Sequence, residues 1–70
     1  MNISEEIAKK VNSRRNILGI SQKDLAELSG VSERTIRDIE QGKGNPGLNQ
    51  IKKILDILGL SITIGILRNE

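Results

Sequence analysis

Glu33, Arg34, Arg37, Asp38 and Gln41 are long or forked hydrogen-bonding side chains of the kind that reads base edges. At ~100° per residue they fall in one polar arc of about 140°, with Ile36 and Ile39 on the opposite side. An arginine in such an arc can pair with both acceptors of guanine, and a carboxylate can accept from the cytosine amino group. A good bidentate pair discriminates against the wrong base by ~1–3 kcal/mol. The same arc also suits an ordinary solvated helix face, so the arc alone leaves both readings open.

Other chemistries are poorly supplied. The chain has no His and no Cys. That removes the usual general base, the usual metal ligand, the Ser–His and Cys–His nucleophile pairs and any disulfide. Its nine carboxylates form no recognised catalytic or metal-binding constellation. The glycines from Gly42 to Gly47 lack the GxxxxGK[ST] pattern of a phosphate loop and do not follow a strand. Without Phe, Tyr or Trp, bases cannot be stacked on aromatic platforms. The reading is a binding protein with no enzymatic activity and no cofactor or metal. A formal charge of +2 leans mildly toward nucleic acid.

Seventy residues allow one folding unit, with a thin stability margin at this size. The core must be aliphatic, drawn from 12 Ile and 8 Leu. Compact helix packing and oligomerisation are the two routes left to stability. No apolar run approaches the ~20 residues of a membrane span, and the acidic start Ser4-Glu5-Glu6 is unlike a signal peptide. The expectation is a soluble, cytoplasmic, nucleoid-associated protein.

Hydrophobic spacing then gives the elements. Ser4 is expected to cap a first helix over residues 5–18, with Ile7, Ala8, Val11 and Leu18 on its apolar face and Gly19 as its stop. Ser21, with Asp24 three residues on, caps a second helix from Gln22 to Ser29 that buries Leu25 and Leu28. Gly30 and Val31 form a short turn. Ser32 opens a third helix running to about Gln41. Residues 43–47 break periodicity. Leu48, Ile51, Ile54, Leu55 and Leu58 mark a fourth helix, with Ile57 beside its stripe. Beyond Gly59 the period becomes two: Leu60, Ile62, Ile64 and Ile66 alternate with Ser61, Thr63, Gly65 and Leu67, the pattern of a half-buried strand. A lone strand leaves two unpaired edges, and the same segment from a second copy is the simplest partner, in an antiparallel ribbon across a twofold axis. The alternative is that residues 60–67 prolong the fourth helix or fold back as loop.

The fold class expected is therefore mostly α: a compact four-helix domain over residues 1–59, and a dimerisation strand and tail over 60–70. Two short helices joined by a tight glycine turn make a helix-turn-helix. Residues 11–59 resemble the Cro and phage-repressor (XRE) family, lambda-repressor-like in fold. The resemblance rests on Ser21-Gln22 with Leu25-Ala26, Gly30-Val31-Ser32, Thr35-Ile36, Ile39-Glu40-x-Gly42-Lys43, Pro46 and Leu58-Gly59. It implies a sequence-specific regulator of double-stranded DNA, a homodimeric repressor on a pseudo-palindromic operator. It implies phosphate contacts from Arg14, Gln22, Ser32, Gln41 and Lys43, base-reading positions at Glu33, Arg34 and Asp38 alongside Arg37, and a structural ion pair between Arg15 and Glu40. Glu33 and Asp38 depart from the family, which often carries Gln, Ser or Lys there; either they specify cytosine or they lie off the interface.

Leu58 to Ile64 is also similar to the C-terminal strand of HipB-type antitoxins. That resemblance implies a strand paired between two subunits; with the alternating tail and the apolar Ile57 beside the fourth-helix stripe, the expected dimerisation residues are Ile57, Leu60, Ile62, Thr63, Ile64 and Ile66. It also implies an alternative function: neutralising a kinase-like toxin while repressing the protein's own operon. A protein-interaction adaptor on the same scaffold is a third reading.

Overall fold

The computed structural model describes residues 2–67; Met1 and residues 68–70, the end of the expected tail, lie outside them. Four helices follow in order: α1 (Ile3–Leu18), α2 (Gln22–Ser29), α3 (Glu33–Glu40) and α4 (Leu48–Leu58). Each boundary has a local cause. Asn2, not Ser4, caps α1: its side-chain oxygen accepts from the Glu5 amide at 2.9 Å, leaving Ser4 inside the first turn. Ser21 and Asp24 form the expected reciprocal box, with bonds of 2.9 and 3.0 Å. Ser32 accepts from the Thr35 amide at 3.1 Å and donates to the Thr35 hydroxyl at 2.8 Å. At α4 the Gln50 side chain reaches back to the Gly47 amide. Gly30 ends α2 in the left-handed region at φ 75°, which a side chain would strain, and so lets α3 start after only residues 30–32.

The core is aliphatic throughout. Val11, Leu25, Val31, Ile36, Ile39, Ile51, Ile54, Leu55 and Leu58 form one cluster, with Ile7, Ile20, Ala26 and Leu60 packed on its edge. α1 packs on α3 and α4, and α2 packs on the same two helices. Three expected core residues are not core. Leu28 keeps 59% of its surface exposed, Leu48 keeps 81%, and Leu18 is also exposed. They share the apolar spacing of their neighbours, but with helices of eight to sixteen residues no further element reaches over them.

Among the described residues no strand forms. After the Leu60 amide bonds the Leu55 carbonyl at 2.9 Å, residues 61–67 run on without regular structure. They do not prolong α4, which Gly59 stops at φ 72°; Ile62 is half-exposed at a groove shared with α1, and Ile64, Ile66 and Leu67 stand clear of the body. No described helix is long and apolar enough to cross a membrane.

Candidate nucleic-acid interface

The site is built around α3. Its inner face is fixed by Ile36, fully buried, and Ile39, nearly so. Its outer face leaves Glu33, Arg34 and Arg37 exposed, with Ser32 before and Gln41 and Lys43 after, also exposed. Glu33 and Arg37 sit one turn apart and pair at 3.3 Å, so one of the two carboxylates on this face has a cation beside it. Arg34 makes no ion pair among the described residues, and neither does Lys43. Asp38 is half-buried rather than open. Its backbone carbonyl accepts from the Lys43 amide at 2.8 Å, and its Cβ lies 3.4 Å from where a side chain on Gly44 would begin. With Thr35, Asn45 and Gln50 it lines a shallow groove of about 140 Å³ along the α3–α4 loop.

What holds α3 in place is a polar clamp beneath its C-terminal end. Arg15 of α1 grips the Glu40 carboxylate with two bonds, Nε to Oε2 at 2.7 Å and Nη2 to Oε1 at 3.0 Å. Its remaining arm donates to the Ile20 carbonyl at 3.0 Å, so one guanidinium ties α1, the α1–α2 turn and α3 together. The side chains retain 13% and 4% of their surface. Burial pushes the Glu40 carboxyl up, but hydrogen bonds from Arg15 and Asn12, the Arg15 charge and the nearby Gln22 amide outweigh it, and the net shift is downward. Arg15 is correspondingly raised by its bond to Glu40, against its own burial.

Asn12 is the part of this clamp that sequence reasoning missed. Its amide donates to Glu40 at 2.8 Å and accepts from Asn16 at 3.2 Å. A faint signal existed: Asn12 lies three residues before Arg15, so the two share a helix face. Two of the expected phosphate-contacting residues also touch groups within the fold. Arg14 is half-buried, and its Nε donates to the Leu58 carbonyl at 3.0 Å, placing a cation at the C-terminal end of α4. Gln22 opens α2 half-buried beside Glu40, at the foot of the clamp. The exposed residues Glu33, Arg34 and Arg37 share α3, and Arg15 of α1 reaches Glu40 at the end of that helix; Arg14 turns instead to the end of α4.

The helix-turn-helix family pattern matches residues 11–64, across α2, the glycine turn and α3. The chain belongs to the helix-turn-helix family. A Haemophilus influenzae protein described as an uncharacterized HTH-type transcriptional regulator is 42% identical over 67 residues, covering 96% of this chain and 68% of that protein. The Escherichia coli HTH-type transcriptional regulator PuuR is 38% identical over 55 residues, or 79% of this chain; the match spans only 30% of PuuR. Control protein C.SmaI of Serratia marcescens is 36% identical over 62 residues, covering 89% of this chain and 74% of that protein. What these helix-turn-helix relatives share with the chain is the scaffold that presents α3.

Proposed function

We propose that this helix-turn-helix protein is a sequence-specific regulator of transcription that binds double-stranded DNA as a homodimer, with α3 in the major groove, and represses. One observation carries the reading: α3 turns an exposed arginine that has no carboxylate partner among the described residues, Arg34, outward from a helix whose opposite face is buried and whose far end is clamped. The naming of the relatives as transcriptional regulators supports it. Arg34 reads guanine. Arg37, held beside Glu33, and Asp38 at the loop edge set the flanking preference. Ser32, Gln22, Gln41 and Lys43 meet the phosphates, where helix N-termini and cations favour anions. Arg14, committed to α4, is structural and leaves that set.

The dimer brings two α3 helices ~34 Å apart, into successive major grooves on one face of the duplex. Its joint is an antiparallel ribbon of residues 60–67 from two copies, supported by the period-two alternation and by backbone groups that the single chain leaves without regular pairing. Selection of bound sequences from a random pool, followed by gel shift, tests the DNA reading. It expects a pseudo-palindromic consensus and affinity that falls steeply with salt. No retarded species at 50 mM salt on any selected sequence overturns it. The adaptor reading makes the opposite prediction, that Arg34→Ala with Arg37→Ala leaves activity unchanged. The antitoxin reading draws on the tail alone and requires a protein that co-purifies with the chain.

A further inference from the structure

A groove of about 500 Å³ opens where the chain leaves α4. Ile3 and Ile7 of α1 form one wall, Leu60 and Ile62 the other, and Leu55 lies among them. The segment beyond it is the most apolar exposed stretch of the chain: Ile64, Ile66 and Leu67 each keep 94% of their surface, and no charge occurs from Gly59 to Leu67. This arm projects. The molecule is 44 Å long against 23 and 20 Å in the other directions, and eight extended residues span ~26 Å. An arm directed away from the body does not cover the groove at its own base. Glu6, Lys10, Ser61 and Thr63 also line the groove, but its walls are mainly aliphatic. Exposed aliphatic side chains and such a groove on one small chain are complementary surfaces, and a twofold axis satisfies both at once.

Strand register makes the match specific. In an antiparallel pair, side chains directly opposite one another share a face. Only registers in which a residue sits on the twofold axis put the even-numbered residues of both arms on one face; a slip of one residue turns one arm's isoleucines to the other side. With Thr63 on the axis, the partner's Ile64 stands opposite Ile62 and the partner's Ile66 opposite Leu60. Leu60 and Ile62 are the groove's own wall. The incoming side chains therefore fall between that wall and α1.

We infer that each copy's groove between α1 and the arm base is the seat for Ile64 and Ile66 of a second copy, with Thr63 on the twofold axis, so that α1 is part of the dimer joint. This deepens the dimer reading above and rests on it. It makes Ile3, a residue outside the core, a determinant of self-association.

The absence of cysteine allows a direct test by disulfide trapping in the full chain. The single variants Thr63→Cys, Ile3→Cys, Ile64→Cys and Ile66→Cys alter exposed positions, and unchanged helical circular dichroism confirms the fold. Mild oxidation is expected to join Thr63→Cys to itself, and to join Ile3→Cys to Ile64→Cys or Ile66→Cys when the two proteins are mixed. Ile3→Ser is expected to weaken self-association at least tenfold in sedimentation equilibrium. A monomer at all concentrations, with no trapped species, overturns the dimer reading and this inference together. A dimer that traps through Thr63→Cys but never through Ile3→Cys, and that Ile3→Ser leaves intact, overturns the groove alone. An intramolecular disulfide in the double variant Ile3→Cys/Ile64→Cys, with no cross-link in the mixed single variants, shows the arm covering its own groove and overturns the inference.

Discussion

Arg34 and Lys43 stand within the same face yet should fail differently. Replacing Arg34 with Ala removes a bidentate base contact. Affinity for the selected site is expected to fall by ~1–3 kcal/mol, about 5- to 150-fold, with relaxed preference at one position of each half-site. Arg34→Lys does not restore it, because a point charge cannot match both acceptors of guanine. Lys43→Ala should weaken binding about equally on all sequences and reduce the salt slope by ~1, as expected for a phosphate contact. Titrations of each variant on single-base operator variants at several salt concentrations separate the two. At the same scale, Arg15→Ala strands the Glu40 carboxylate. Chemical denaturation at neutral pH should show a loss near ~3 kcal/mol, the low end for a buried pair because Arg15 remains partly in contact with water. The sign of the pH dependence follows from the direction of the shift. Glu40 has a lowered carboxyl in the folded state, so its contribution is complete above the ordinary carboxylate value, ~4.3, and is lost as pH falls through the lower folded value. Asp24, lowered by its bond to the Ser21 backbone, acts in the same direction. Glu40→Gln should therefore flatten part of the acid limb of the stability profile while lowering the plateau at neutral pH.

At the scale of the element, α3 is eight residues long and depends on its ends. Ser32→Ala removes both the bond to the Thr35 amide and the contact with its hydroxyl. A stability loss of ~1 kcal/mol is expected, read by thermal unfolding. Retaining the cap with Ser32→Asp should keep stability but weaken DNA binding, since a carboxylate then faces phosphate. The start of this helix was legible because its signals are local: a hydroxyl at the cap and a glycine at the preceding turn. The same holds for the Ser21–Asp24 box. α1 was read less well. Ser4 and Asn2 are both capping residue types, and which one caps depends on where the chain turns out of the helix. Leu18, Leu28 and Leu48 show a different limit. Periodicity reports which side chains share a stripe, but burial requires a second surface to cover them, and spacing carries no information about that surface.

For the whole molecule, the decisive quantity is the separation of the two α3 helices. If the arms hold it at one helical repeat, inserting ~5 base pairs between half-sites rotates them to opposite faces of the duplex, and the gel-shifted dimer complex should be lost while an insertion of ~10 weakens it less. Truncation after Gly59 should leave the four helices folded, since among the described residues of the removed segment only Leu60 packs on the core, but the shortened chain should bind a half-site as a monomer with a shallower salt slope.

The sequence by itself determined the four helices, the glycine turn, the aliphatic core of α3 and α4 and the polar outer face of α3. Those follow from cap chemistry and side-chain period, which act over a few residues. Tertiary structure decided the rest. Arg14 and Arg15 are adjacent in sequence and identical in chemistry, yet Arg14 reaches the end of α4 and Arg15 grips Glu40, a partner that family resemblance implied but no local pattern gave. Asn12 joins the clamp, and Asp38 turns along a loop, for reasons equally remote in sequence. A charged side chain's role is set by which long-range partner the packing brings within ~3 Å, because hydrogen bonding falls off steeply beyond that distance, and no local pattern encodes which partner arrives.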